Sequence, residues 1–163
     1  MNCDEILTYI NEYPQSYKFI NVKDKTVLDI GGDVGTSAFY FLAIGAKKVI
    51  VYSLQQQKVF DSRIEWHNEW NGLYIPADVL KIDCEGCECV LTKETIEKYN
   101  EWYIAIHTWS NCFENMKKYL ETKGILTFTT TDKKELMYTK FKNEQKLTVL
   151  LKVYFYTKQS YVS

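Results

Sequence analysis

Arginine, proline and glycine are all scarce in this chain. Of its 20 basic residues only Arg63 is an arginine, and its 163 residues include 2 prolines and 7 glycines. Without arginine companions, bidentate clamps on phosphate or carboxylate are nearly absent, and an anion site would have to use lysine or backbone N–H groups. So little proline and glycine, thinly spread, excludes collagen-like chains, long linkers and low-complexity tracts. No apolar run approaches the roughly 20 residues that span a bilayer, so a membrane is not an expected partner. Charge of one sign is lacking too: 20 basic and 21 acidic side chains leave a formal net charge of -1. No cation excess is available to displace counterions, so nucleic acid is not an expected partner either. The chain carries five cysteines, Cys3, Cys84, Cys87, Cys89 and Cys112. An odd number and the want of a signal peptide predict a reducing, cytoplasmic setting in which cysteines serve packing. What is abundant is apolar and aromatic: 46% hydrophobic, with 13 Tyr, 8 Phe and 4 Trp. That is enough for a single well-filled domain.

Apolar runs alternate with helix-period segments. Thr26-Val-Leu-Asp-Ile30 ends in Gly31-Gly32 and reads as a buried strand, and Gly35–Ile44 as a helix stopped by Gly45. Lys48–Ser53 predicts a second strand, Gln55–Asp61 one or two helical turns, and Arg63–Trp66 a third strand. Asp78–Asp83 and Trp102–His107 read as further strands, with helices near Thr92–Tyr99 and over Cys112–Lys123, before Gly124. Ile125–Thr131 and Leu147–Thr157 are rich in β-branched and aromatic residues; they predict an antiparallel pair joined by the charged connection Asp132–Lys146. Asn2–Tyr13, closed by Pro14, predicts an N-terminal amphipathic helix ahead of a core over residues 26–158. The alternation implies an α/β domain whose mostly parallel sheet carries helices on both faces. Its ligand crevice lies beyond the C-terminal strand ends, at Gly31–Gly35, Tyr52–Gln55, Asp83–Glu88 and His107–Asn111.

The first of these loops decides the ligand class. Val27-Leu-Asp-Ile-Gly-Gly-Asp-Val-Gly-Thr36 has no lysine after Gly35, which a nucleotide P-loop needs. A dinucleotide G-x-G-x-x-G pattern would need glycine at Asp33 and Thr36. The segment fits acidic-x-Gly-x-x-x-Gly through Asp29, Gly31 and Gly35, and so resembles the first motif of class I S-adenosylmethionine-dependent methyltransferases. Val79-Leu-Lys-Ile-Asp-Cys-Glu-Gly-Cys-Glu88 is similar to the h-K-h-D-x-E-G-x-E signature of the FkbM type. Tyr103-Ile-Ala-Ile-His107 and Lys152-Val-Tyr-Phe-Tyr-Thr-Lys158 resemble later strands of the same family.

The resemblance implies a Rossmann-like doubly wound sheet with a C-terminal antiparallel hairpin, S-adenosylmethionine as cofactor, and O-methylation of a small or carbohydrate-like acceptor. Asp29, Gly31, Gly32 and Gly35 would cradle the cofactor. Ser53 or Gln55 would hold the ribose, because Val51-Tyr52-Ser53-Leu54-Gln55 lacks the usual carboxylate there. A neutral acceptor in its place weakens binding by roughly 1–2 kcal/mol, so the alternative is a fold that has lost transfer and serves as a binding module. The 24 residues Leu54–Ala77 are too few for the family's usual elements; Trp66, Trp70, Leu73 and Tyr74 are candidates to wall the adenine.

Methyl transfer to a hydroxyl needs alignment and a general base. His107, Asp83 and Glu85, all at predicted C-terminal strand ends, are the candidates, and Glu88 is placed to accept backbone N–H groups. Asp83, Glu85, Glu88 and His107 could also hold a divalent cation, but no spacing fixes such a site and none is assigned. The cysteines of Cys84-Glu-Gly-Cys87-Glu-Cys89 lack a second matching pair for zinc. An aromatic hairpin exposed at the end of the sheet makes a homodimer a candidate assembly.

Overall fold

Four mostly apolar runs become the middle of the sheet. Strands β1 (Thr26–Ile30), β2 (Lys48–Tyr52), β4 (Val79–Ile82) and β5 (Trp102–His107) are buried along nearly their whole length, as strands covered on both faces must be. The computed structural model describes residues 11–142. Its single seven-stranded sheet has the order β3-β2-β1-β4-β5-β7-β6, with β3 at Ile64–His67, β6 at Ile125–Thr129 and β7 at Glu135–Lys140. Strands β1 to β5 run parallel, and β7 lies antiparallel to both β5 and β6. The expected doubly wound α/β architecture with a terminal antiparallel hairpin is the observed one.

Strand alternation sorts the core into two layers. Val27, Val49, Val51, Val79, Tyr103, Ala105 and Met137 point to one face. There they meet Tyr13 and Tyr17, from the helical residues 11–16 (α1) and the turn after them, and Phe41 of α2 (Thr36–Ala43). Leu28, Ile50, Leu80, Ile104 and Tyr138 point to the other face, under Ile96 of α3 (Lys93–Glu97) and Leu120 of α4 (Phe113–Lys123). Toward the C-terminal ends of the strands the first face turns polar, because the same alternation brings Asp29, Lys81, Asp83, His107 and Glu135 to it. Among the described residues no helix is long and apolar enough to cross a membrane.

Three local expectations are corrected. Gln55–Asp61 forms no helix. The segment is drawn out along the glycine loop, where the Lys58 and Val59 N–H groups both donate to the Val34 carbonyl. The partner of β6 is β7, inside what reads as the charged connection 132–146. Lys133, Lys134 and Glu135 hide the apolar alternation that begins at Leu136, whose neighbours Met137 and Tyr138 are buried. Pro14 does not end α1. Helical backbone continues to residue 16, and the Tyr17 N–H donates to the Tyr13 carbonyl at 2.8 Å. Proline removes only its own donor there, and burial of Tyr13 and Tyr17 against Tyr40 and Phe41 holds the turn. The predicted helix over residues 2–10 and the strands in Leu147–Thr157 and Lys152–Lys158 lie outside the described residues.

Candidate functional site

A cavity of about 680 Å³ opens at the C-terminal ends of β1, β2 and β4, where a parallel sheet of this order reverses. The loops that follow β1, β2, β3 and β4, with α1, build it. The glycine loop is as tight as it is because neighbours crowd it. A Cβ on Gly31, at φ +79°, would lie 1.9 Å from the Asp83 carbonyl oxygen, and one on Gly32 would lie 2.5 Å from the Val51 side chain. A Cβ on Gly35, at φ +106°, would press on Val59 at 3.2 Å. Gly31 lines the cavity; Gly32 and Gly35 instead let the β2 side chains and the 55–61 segment close in behind it.

Asp29 sits beneath this loop and not on the cavity wall. Its carboxylate is fully buried, accepting from Ser37 Oγ at 2.6 Å and paired with Lys81 Nζ at 2.8 Å. Lys81 Nζ also donates to the Gly31 carbonyl at 3.0 Å, so the pair ties β4 to the loop after β1. Ser53 and Gln55 do line the cavity. Ser53 Oγ donates to the Asp33 carbonyl and accepts the Gln55 N–H, which leaves it one lone pair for a ligand hydroxyl. Of the proposed adenine walls only Trp70 reaches the cavity. Trp66 packs by Gly35, and Tyr74 against Tyr99 at 5.1 Å.

Asp83 and Glu85 lie on the wall, and His107 lies behind Asp83. Asp83 Oδ2 accepts from Tyr17 Oη at 3.1 Å, while its Oδ1 stands 3.9 Å from His107 Nε2. The His107 Nδ1 and backbone N–H both meet Glu88 Oε1 at 3.2 Å, and Glu88 Oε2 accepts the Gly86 N–H at 2.7 Å. Burial disfavours the charged imidazole, but the Glu88 hydrogen bond and charge, with Asp83 and Glu135 beyond, leave the His107 pKa raised. Burial and Asp83 push the Tyr17 phenol well above its ordinary range. They also push the Glu135 carboxyl up to about 7. Glu135 is the register partner of His107 across β5 and β7.

The cysteines are not simply packing residues. Cys84 pairs with Cys87 and Cys89 with Cys112, at Cα separations of 5.5 and 5.4 Å, which correct the expectation of free thiols. The tight 84–90 turn, with Glu85 at φ +40° and Gly86 at φ +119°, brings 84 and 87 together. The second bridge joins the 3₁₀ turn Cys87–Val90 to the residue before α4.

Residues that carry no motif complete the wall. Ser16 Oγ is buried there with no hydrogen-bond partner among the described residues. Glu12, Asp33, Glu69, Asp83 and Glu85 are five acidic residues in the lining, against one lysine, Lys81, already paired with Asp29. Only the acidic share of the two loops was visible in the sequence; Glu12 and Glu69 sit in segments with no distinguishing pattern.

No protein-family model matches the chain. It is 39% identical over 147 residues to uncharacterized protein 65 of Sulfolobus islandicus filamentous virus, covering 83% of this chain and 89% of the relative. To uncharacterized protein 158B of Sulfolobus islandicus rod-shaped virus 1 it is 38% identical, covering 81% and 91%. Among solved structures, the ribosomal protein L11 methylase of Lactobacillus delbrueckii subsp. bulgaricus superposes with a TM-score of 0.56 at 13% identity, covering 76% and 72% of the two chains. M. capricolum TrmK, in complex with S-adenosyl-homocysteine, gives 0.54 at 15% identity, covering 81% and 68%. At such identities the likeness is one of fold: the methyltransferase-type α/β sheet.

Proposed function

We propose that this chain, which belongs to the family of protein 65 of the filamentous virus and protein 158B of the rod-shaped virus, is an S-adenosylmethionine-dependent methyltransferase. The observation that carries this reading is the charge of the cavity. Five acidic residues line it and its one lysine is paired with Asp29, so a phosphate-bearing ligand is repelled and a cationic one is drawn in. S-Adenosylmethionine is such a ligand, and when bound it supplies a methyl group activated on a sulfonium. The residues present suit it: Gly31 offers close backbone, Ser16 Oγ and the free lone pair of Ser53 offer hydrogen bonds, and Trp70 offers an apolar wall.

A hydroxyl acceptor, small or carbohydrate-like, is the finer part of the proposal. Asp83 and Glu85 reach the wall and can accept its proton; His107, behind Asp83, is a positioning residue. An FkbM-type assignment draws support from the Val79–Glu88 block, whose Lys81 holds Asp29 and whose Glu88 holds His107. The missing carboxylate after β2 favours the second reading, a fold that binds without transferring.

Calorimetric titration tests the proposal. S-Adenosylmethionine should bind saturably and more tightly than the uncharged-sulfur product S-adenosylhomocysteine. The double variant Asp33→Asn, Glu69→Gln should weaken the sulfonium ligand by about tenfold and the product less. No heat and no thermal stabilisation at millimolar ligand would overturn it, and binding of the product alone would favour the module that has lost transfer.

A further inference from the structure

The geometry points to a divalent-cation site formed by Asp83, His107 and Glu135, beside the methyl-donor cavity. Three separate elements supply it: the end of β4, the end of β5 and the start of β7. One ligand atom from each lies within 4.8 Å of the other two, and among the described residues no other such grouping occurs. Three donors around one ion at about 2.2 Å stand about 3–4 Å from one another; His107 Nε2 and Asp83 Oδ1 are already at 3.9 Å, and the widest pair has to close by on the order of 1 Å.

A second observation concerns the imidazole itself. The His107 side chain is 3% exposed, and its Nδ1 is held by the fully buried Glu88 carboxylate. That leaves Nε2 as the nitrogen aimed at the cluster, 3.9 Å from Asp83 Oδ1 and beyond hydrogen-bond reach. A buried ring nitrogen directed at two carboxylates, with its other nitrogen fixed by a third, is the arrangement by which proteins orient a metal-binding histidine. Lys81, the ammonium on this face, is committed to Asp29 and the Gly31 carbonyl and does not fill the gap.

The ligand chemistry sets the class of ion. One imidazole and two carboxylates suit a first-row divalent ion better than calcium or magnesium, which take all-oxygen sets. About three of six positions remain for water or for oxygens of a bound acceptor. Asp83 lies on the cavity wall, so the ion would stand where an acceptor hydroxyl enters and leave Glu85 as the free carboxylate. This deepens the methyltransferase reading, but binding of the ion does not depend on a methyl donor.

Manganese is the probe, because it is a first-row divalent ion whose free and bound forms differ in their electron paramagnetic resonance. Titration of the full chain with Mn²⁺ alone, followed by the loss of the free-ion electron paramagnetic resonance signal, should give one site per chain. Asp83→Asn and Glu135→Gln should each weaken it at least tenfold, while Glu65→Gln should not. Glu65 pairs with His67, the chain's other histidine, on the exposed edge strand, and so controls for adventitious binding. Electron spin-echo modulation of the wild-type complex should show one directly bound imidazole nitrogen, absent in His107→Gln; this holds even where a carboxylate variant does not fold. No saturable binding below millimolar Mn²⁺, binding unchanged in folded Asp83→Asn and Glu135→Gln, or no nitrogen modulation would each overturn the proposal. Since S-adenosylmethionine is omitted, failure here leaves the methyl-donor reading standing, and the reverse.

Discussion

Asp29 and Lys81 are 0% and 1% exposed, and each is the other's ionic partner at 2.8 Å under the glycine loop. Two charges in so dry a place are held by their mutual attraction and by the Ser37 hydroxyl and Gly31 carbonyl. Removing one partner strands the other. Lys81→Met and Asp29→Asn are each expected to cost about 3–5 kcal/mol. The double variant should cost much less than the sum, because no charge is left unpaired. Urea denaturation of the four proteins measures this coupling; additive losses would show that the pair is not what holds the loop. Asp29 reads in the sequence as a cofactor residue, since an acidic group before a glycine turn has that pattern. Its burial depends on Lys81, some fifty positions later on an adjacent strand, and no local spacing expresses that.

At the scale of the element, the loop after β1 and the turn after β4 are locked together. Gly31 and Gly86 both have positive φ, but a Cβ on Gly31 meets the Asp83 carbonyl whereas one on Gly86 meets nothing within 4 Å. Gly86→Ala should therefore cost only its backbone strain, on the order of 1–2 kcal/mol. Gly31→Ala adds a collision with backbone and should cost clearly more, with loss of ligand binding. Equal losses in chemical denaturation would mean that the two loops can part freely. Elements with strong periodicity, β1, β2, β5 and α4, were legible in the sequence to within a residue or two. Segments whose form comes from what they lie against were not: residues 55–61 follow the Val34 carbonyl, and β7 is recruited by β5 despite its charged flanks.

The described residues form one sheet between two apolar layers, and the same strands feed both. Val27 and Leu28 are neighbours in β1, wholly buried, yet belong to opposite layers. Leu28→Ala is expected to cost about 2–5 kcal/mol, and Val27→Ala somewhat less. In both variants circular dichroism and tryptophan fluorescence should report a single coincident transition. Separate transitions would show that the layers melt independently.

By itself the sequence determined the alternation of buried strands and amphipathic helices, the glycine turn after β1, and therefore an α/β sheet with its crevice at the C-terminal strand ends. Those properties follow from side-chain periodicity and backbone sterics, which act over a few neighbouring residues. Only the tertiary structure decided that Asp29 is buried against Lys81, that five acidic residues line one cavity, and that Glu135 comes to His107. Such meetings depend on strand order and register. These in turn depend on how all the strands pack at once, so the chemistry of the site is written across the sheet and not along the chain.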